Sequence, residues 1–289
     1  MNKGGFTLIE LSVVIIALAL VFGVVSVSKK LVSNAGSLVA LNQSDNDWES
    51  GESSDSAEEG GEEGLPVTSG LILWLDASDA DTITESGGNV SQWDDKSNAA
   101  NHAVQTSSSA QPDTNSSTIN SLNVIDFEQG SEFLDFSSRI DFTNTTIFVV
   151  AEPNASSVGG QILSATSANR QTLRYGSSTT FSWGAGGNVT FSGLSGNQQG
   201  IERILVITYD ADNLTRSLNI DGSTITNSGN SAYNGSSYIE TIGKLLSNSP
   251  SAGANIAEII MYNTVLSSSD IATMESYLSD KWAITLDGP

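Results

Sequence analysis

An uncharged apolar run near the N-terminus is the feature that most limits what this chain can fold into. Residues 11–28 carry no charge, and Lys29 and Lys30 close the run. Its length is close to the shortest that crosses a bilayer as a helix, for which about 20 residues are typical. A secretory signal peptide fits poorly, because Glu10 interrupts the apolar stretch and the small residues Gly4 and Gly5 come before it. The run therefore predicts a membrane helix.

Glu10 points to a more specific interpretation of this run. A carboxylate inside an apolar span is costly and normally has a partner. The residues Lys3-Gly4-Gly5-Phe6-Thr7-Leu8-Ile9-Glu10-Leu11 resemble the type IV prepilin signal of type IV pilins and type II secretion pseudopilins. The resemblance implies that a prepilin peptidase cuts between Gly5 and Phe6 and methylates the new amine of Phe6. A plain membrane anchor is the alternative.

The same resemblance gives Glu10 a role in filament assembly. In a bundle of staggered helices, Glu10 of one subunit can pair with the Phe6 amine of its neighbour, and an unpaired charge there would be strongly destabilising. We therefore expect a leader over 1–5 and a transmembrane assembly helix over 6–41. The resemblance implies a single pass through a bacterial inner membrane, with the C-terminal part outside the cytoplasm, and a cell-surface or periplasmic filament after assembly.

The segment that follows, residues 42–64, is strongly acidic and poor in apolar side chains. Residues 42–64 contain nine acidic residues, no basic residue and one aromatic, Trp48, so they predict an acidic flexible linker.

The whole chain has a net charge of -22, which would repel a phosphate backbone and argues against nucleic-acid binding. Because the chain has no cysteine, disulfides and thiol nucleophiles are excluded.

Residues 65–289 predict a mainly β domain. Short β-rich runs recur between turn residues, which favours an antiparallel β-sandwich of the jelly-roll type over alternating strands and helices. The runs lie at 71–75, 122–127, 146–151, 161–165, 179–183, 188–192, 203–209, 214–220, 238–242 and 255–262, with a hairpin turn at 221–222. A short C-terminal helix is predicted from Ser267, because Asp270 completes a capping box and apolar residues then recur on one face.

Several segments of this domain resemble one family in residue type and order. They are 71–78 (LILWLDAS), 92–97 (QWDDKS), 124–127 (VIDF), 219–222 (NIDG), 257–263 (AEIIMYN) and 277–282 (YLSDKW). Together they resemble the LamG-like, concanavalin A-like jelly-roll domains of bacterial surface proteins. The resemblance covers nearly all of 66–285 and implies two antiparallel sheets, carbohydrate or protein ligands in many members, and sometimes calcium.

Two sets of residues are candidates for binding sites. Asp76, Asp79 and Asp81 follow the first predicted strand, and carboxylates at loop ends suit Ca²⁺, although aspartates in turns also cap backbone amides. Trp183 with Tyr175 is a candidate for an exposed platform that stacks on a sugar ring, and a packed core role is the alternative. Calcium is the one cofactor that these residues suggest.

The sequence predicts no catalytic residues. Glucanases of this fold carry a short Glu-x-Asp-x-Glu run on one strand face, and a retaining carboxylate pair lies about 5 Å apart. The nearest set here, Glu128, Glu132 and Asp135, has a different spacing and follows a strand end. We therefore expect this chain not to be an enzyme.

Taken together, these features predict a type IV pilin-like filament subunit that displays a LamG-like domain for adhesion or ligand binding at the cell surface. A large domain on a flexible linker would crowd a densely packed shaft, which favours a minor or tip subunit. A type II secretion pseudopilin is the first alternative, and a membrane-tethered glycan-active enzyme is the second. The expected partners are prepilin peptidase, other pilin or pseudopilin subunits, the inner membrane, and a carbohydrate or surface protein.

Overall fold

Antiparallel strand pairing dominates the C-terminal part of the chain. The computed structural model describes residues 64–128, 130, 132–154, 160–165, 172–177, 180–184, 189–192, 198–213, 215–225, 237–244 and 253–287. All of them belong to one compact unit, Glu59–Pro289. The predicted leader and membrane helix, with Gly5, Phe6 and Glu10, and nearly all of the acidic linker lie outside the described residues. No helix within the described ranges is long and apolar enough to cross a membrane.

Two sheets can be separated by their strand pairings. The first sheet runs, in spatial order, through β12 (Val189–Ser192), β11 (Thr180–Gly184), β10 (Thr172–Ser177), β9 (Gly160–Ser164), β16 (Ser237–Ile242), β7 (Leu134–Phe142), β4 (Ala103–Val104), β3 (Asn89–Trp93) and β2 (Ile83–Ser86). The second runs through β15 (Ser223–Ile225), β14 (Thr215–Ile220), β13 (Arg203–Asp210), β8 (Thr145–Pro153) and β17 (Ala254–Tyr262).

The second sheet divides at β17. One end of β17 pairs with β6 (Leu122–Phe127), which continues to β5 (Asp113–Ile119), and the other end pairs with β1 (Leu71–Asp76). Among the described strands, one residue pair joins the two sheets, Asn89 opposite Asp113. The prediction of a mainly β, antiparallel fold is therefore confirmed, and the arrangement fits a jelly-roll-like sandwich.

Alternation along the strands fills two apolar cores. Ile259 and Met261 of β17 lie in the main core between the two sheets, together with Phe142 of β7. Ile260 and Tyr262, which point to the other face of β17, lie in a second core under the C-terminal helix. Successive strand residues point to opposite faces, so one strand can supply both cores.

The C-terminal helix, α1 (Ser268–Trp282), covers the second core. Its N-cap is Ser267, whose side chain accepts a hydrogen bond from the Asp270 amide at 3.1 Å. Met274, Leu278 and Trp282 are buried along one face, as their helical spacing predicts. The helix ends at Ala283, which has a left-handed backbone with φ 54°. The predicted helix and its capping residues are confirmed.

Candidate functional site

The aspartates predicted to bind calcium lie at the end of β1. Asp76 is the last residue of β1, and its Oδ1 accepts hydrogen bonds from the Ser78 amide at 3.0 Å and the Ser78 hydroxyl at 2.6 Å. Asp79 caps a 3₁₀ turn, Ala80–Thr82, by accepting a hydrogen bond from the Asp81 amide at 3.2 Å. The Asp81 side chain is exposed. These contacts are the turn-capping role of aspartate.

Lysine side chains neutralise two of these carboxylates. Lys96 Nζ lies 2.8 Å from Asp79 Oδ2 and 3.4 Å from Asp76 Oδ2. Within the described ranges, no group of three or more Asp, Glu or His side chains is arranged to hold a metal ion. In this arrangement Asp76 and Asp79 cap turns and pair with lysine, while Asp81 is exposed, so the three side chains do not form a cation site in the described structure.

Glu258 lies at the centre of a buried polar network under α1. It stands opposite Asp76 in the pairing of β1 with β17, and it is 1% exposed. Its carboxylate accepts hydrogen bonds from the indole N–H groups of Trp74 at 2.8 Å and Trp282 at 2.7 Å. Lys281 Nζ lies 2.8 Å from Glu258 Oε2 and 2.9 Å from Asp76 Oδ2. One ammonium group thus bridges two buried carboxylates.

The two carboxyl groups of this network have opposite pKa shifts. Burial raises the pKa of Glu258, although Lys281 acts against it. Burial also acts to raise the pKa of Asp76, but the charge of Lys281 and the hydrogen bond from Ser78 bring it below its ordinary value. Because Glu258 is almost fully enclosed, a ligand cannot reach it while α1 stays in place. The network therefore ties the last turn of α1 to the sheet.

The aromatic pair predicted to form a sugar platform lies inside the sandwich. Trp183 on β11 is 0% exposed and Tyr175 on β10 is 1% exposed, and both belong to the main core. Tyr175 packs edge-on against Phe181 with ring centroids 5.3 Å apart. The prediction that Trp183 and Tyr175 stack on a ligand is therefore wrong, because strand alternation turns both rings inward.

Carboxylates also gather where β5 begins and β6 ends. Asp113 and Asp126 stand opposite each other in the ladder. Glu132 Oε2 accepts a hydrogen bond from the Glu128 amide at 2.6 Å. Burial raises the pKa of Glu132 to about 7, and the charges of Asp113, Glu128 and Asp126 act in the same direction. A carboxyl group that titrates near neutrality can donate a proton in general acid catalysis.

Asp135, the third acid of the set noted in the sequence, belongs elsewhere. It lies on β7, and its Oδ1 is 3.6 Å from Lys244 Nζ. The structure therefore brings Glu128 and Glu132 together but leaves Asp135 out of their group.

A cleft of about 450 Å³ opens where α1 ends. Four segments that are distant in sequence line it. They are the β5–β6 turn at Ile119 and Asn120, residues 201–203 at the start of β13, the β14–β15 turn at Asp221, and the end of α1 with the chain that follows it, at residues 282–285 and 287. We call this the α1-end cleft.

Charged groups in the α1-end cleft fall into two kinds. Asp221 is buried, its Oδ1 accepts a hydrogen bond from the Ile204 amide at 2.8 Å, and its Oδ2 pairs with Arg203 Nη1. Burial raises the pKa of Asp221, although the Ile204 amide and Arg203 oppose the shift. Glu202 and Asp287 are exposed, and neither carboxylate has a hydrogen-bond or ion-pair partner in the described part of the chain.

Two further features distinguish this cleft. Arg203 Nε is buried and has no acceptor among the described atoms. Ile201 is 37% exposed, and among the described residues it is the single large apolar side chain that is classed as exposed. Sequence reasoning missed the cleft because its segments carry no motif and meet only in the fold. An isoleucine between Gly200 and Glu202, outside any strand, was the one available signal.

Comparisons with known proteins bear on the fold alone. No protein-family model matches the chain, and no curated protein has a significant match. The structure is similar to Trypanosoma rangeli sialidase in complex with sialic acid, with a TM-score of 0.53 and 14% identity over 74% of this chain and 34% of the sialidase. It is also similar to the covalent intermediate of that sialidase with 2,3-difluorosialic acid, with a TM-score of 0.52 and 15% identity over 74% and 33%.

A mutant of the same sialidase that displays trans-sialidase activity has a TM-score of 0.50 and 15% identity, over 76% of this chain and 34% of its own. The chain thus spans about a third of the length of the sialidases that it matches. At this identity the likeness shows a shared fold for the matched part.

These neighbours are enzymes, so the prediction that the chain is not an enzyme is corrected: it was argued from the fold's usual motif, and enzymes without that motif share the fold. That prediction depended on the missing Glu-x-Asp-x-Glu run, which is only one arrangement of carboxylates among proteins that break glycosidic bonds. The similar structures named above are sialidases, so a motif from another group of enzymes was too narrow a test.

Proposed function

We propose that this chain is a type IV pilin-like filament subunit, minor or at the tip, whose β-sandwich domain binds glycans at the cell surface. The observation that carries the proposal is the pattern Gly5-Phe6 with Glu10, placed directly before an uncharged apolar run. A membrane helix tolerates an acidic residue poorly unless it gains a partner, and a neighbouring subunit's N-terminal amine is a suitable one.

The sandwich supports the ligand-binding half of the proposal. Its two antiparallel sheets and terminal helix agree with the resemblance of 66–285 to LamG-like, concanavalin A-like domains. Many members of that group bind carbohydrate, and one of the sialidase structures with a similar fold is in complex with sialic acid. A glycan is therefore the ligand class that we favour over a surface protein.

Mass spectrometry of the mature N-terminus tests the filament proposal. We expect the chain to begin at Phe6 with a methylated amine. An intact Met1, or a cut beyond residue 20, would refute the prepilin interpretation. Sheared surface filaments should contain the protein; detection only in periplasmic filaments would instead identify a type II secretion pseudopilin.

A second candidate function is a membrane-tethered glycan-active enzyme. Two observations favour it: the shared fold with sialidases, and the Glu132 carboxyl group, whose pKa of about 7 suits a general acid. The test is hydrolysis of a fluorogenic sialoside by the purified full chain. We expect turnover that Glu132→Gln lowers at least tenfold while Asp81→Asn leaves it unchanged. No turnover by the unmodified chain would reject this candidate.

A further inference from the structure

We propose that the α1-end cleft binds an amino sugar, a sugar ring that carries a protonated amine. The inference rests on the proposed glycan-binding function and names its site and ligand class. The cleft combines a volume of about 450 Å³, an apolar side chain, a hydrogen-bond donor residue, and two carboxylates without a cation.

The size and walls of the cleft suit a small ligand. Its volume of about 450 Å³ lies within the range of roughly 300–1,000 Å³ that is usual for small-molecule sites. Trp282 and Ile119 are buried beneath it. The Asp287 amide donates a hydrogen bond to the Asp221 carbonyl at 2.7 Å, and the Ser223 hydroxyl donates to the Asp287 carbonyl at 3.0 Å. These bonds hold the chain after α1 against the β14–β15 turn, so the walls exist before a ligand binds.

Ile201 gives the cleft a surface for the apolar face of a sugar ring. Large apolar side chains exposed to water are common one by one, and position decides whether they matter. Ile201 lines a cleft in which all other exposed lining side chains except Ala283 are polar. A sugar ring has the same mixed character, with C–H groups on one face and hydroxyl groups at its edge. Burial of Ile201 against the C–H face removes apolar surface from water.

Hydrogen-bonding groups of both kinds lie at the same place. Arg203 lines the cleft as a donor residue: its Nη1 pairs with Asp221, and its buried Nε has no acceptor among the described atoms. Asn120 Nδ2 donates to the Lys281 carbonyl at 2.9 Å, which leaves the Asn120 Oδ1 as an acceptor. A hydroxyl group both donates and accepts, so a polyol can use donor and acceptor together.

The unpaired charges select the kind of sugar. The Arg203 guanidinium neutralises Asp221, which leaves Glu202 and Asp287 as two carboxylates without a counter-charge. An ammonium group on the ligand would pair with them in charge-assisted hydrogen bonds. A neutral sugar gains nothing from these charges, and an acidic sugar is repelled by the two carboxylates of this cleft.

Calorimetric titration of the full chain in detergent at pH 6.5 tests the proposal with three probes, glucosamine, glucose and glucuronate. We expect glucosamine to bind about tenfold more tightly than glucose, and glucuronate not to bind, since tenfold corresponds to a single good charge interaction. Glu202→Gln combined with Asp287→Asn should remove this preference and leave the weak affinity for glucose unchanged. Asp81→Asn, an exposed acid outside the cleft, is the matched control and should change nothing.

Ile201→Ser provides a second, independent variant, because it should weaken both neutral and amino sugars. Equal affinity for glucosamine and glucose, an unchanged preference in the double variant, or no binding of glucosamine would each overturn the proposal. The outcome is separable from the filament function, since N-terminal processing does not affect this titration. If the chain binds a glycan array and the double variant binds it equally well, glycan binding stands and the α1-end cleft is not its site.

Discussion

Replacing Lys281 with methionine should destabilise the β-sandwich by about 3 kcal/mol at pH 7. Methionine keeps most of the side-chain volume but removes the ammonium group that lies between Asp76 Oδ2 and Glu258 Oε2. The side chains of Asp76 and Glu258 are 6% and 0% exposed, so neither charge can regain full hydration. The perturbation therefore leaves two buried carboxylates without their shared cation.

The magnitude follows from what remains after the change. Removal of one partner from a buried ion pair costs about 3–5 kcal/mol. The lower end applies here, because Glu258 keeps the indole hydrogen bonds of Trp74 and Trp282 and Asp76 keeps those of Ser78. Urea unfolding of residues 64–289, which contain the whole described core, would show a midpoint lowered by about 1 M if m is about 3 kcal/mol/M.

The loss should depend on pH in a defined direction. The lowered pKa of Asp76 contributes stability that is present above its unfolded value and is lost as pH falls through the folded value. The raised pKa of Glu258 makes its ionised form costly as pH rises. Without Lys281 both carboxyl groups take up protons more readily, so the variant should lose more stability at pH 8 than at pH 5.

Lys96→Met is the matched control for this prediction. Lys96 also contacts Asp76, but its side chain is 22% exposed and its closer partner, Asp79, is 34% exposed. Partly exposed pairs contribute about 1 kcal/mol or less. An equal loss for the two variants, or a loss for Lys281→Met that is the same at pH 5 and pH 8, would show that the buried network does not work as described.

Three further outcomes are expected. Gly243→Ala should destabilise the domain by about 3 kcal/mol in urea unfolding, because Gly243 has φ +85° and an added Cβ would lie 2.7 Å from Phe127. Gly87→Ala is the control: Gly87 has φ +64° but open space around its Cβ position, so the substitution should cost about 1 kcal/mol. Melting temperature should fall as pH rises from about 4.5 to about 7, because the raised pKa of Glu132 makes its ionised form costly, and Glu132→Gln should flatten that fall. Glu10→Leu should enter the membrane and be cleaved but be missing from sheared filaments; normal incorporation would make the segment a plain anchor.

The main strands of the sandwich could be predicted where apolar runs are dense. The run at 122–127 coincides with β6, and the run at 255–262 lies within β17. The helix was predictable because Ser267 and Asp270 mark its start and buried residues repeat along one face. Local residue preferences and burial agree in these elements, so sequence alone is sufficient.

Other strands could not be predicted because they carry polar residues at sheet edges. Strand β5 reads DTNSSTI, and its register with β6 shifts between Thr114 and Thr118, near Asn115 with φ 63°. Strand β2 is mostly exposed and pairs only with β3 in the described ladder. Such segments are strands because a neighbour pairs with their backbone, a fact that no local pattern records.

The candidate binding sites, like the edge strands, depended on contacts between segments that are distant in sequence. Aspartates that follow a strand can bind a cation or cap a turn. The contacts that Lys96 and Lys281 make with Asp79 and Asp76 decide between these roles, and both lysines come from distant segments of the chain. The side chain of an aromatic residue on a strand can point to either face of the sheet. Trp183 is buried because its side chain points to the face that lines the main core. The α1-end cleft is formed by segments far apart in sequence, so only the fold reveals it.

The way the chain enters the sandwich determines how the domain would carry mechanical tension. The described chain begins at Gly64, Leu65 is buried in the second core, and the Tyr262 hydroxyl donates a hydrogen bond to the Val67 carbonyl at 2.7 Å. Strand β1 follows at once and is paired with central strand β17 from Leu71 to Asp76. A pull from the N-terminal side would therefore load the contacts of Leu65 and Val67 first and β1 next, and Asp76 at the far end of β1 is held by Lys96 and Lys281 from two other segments.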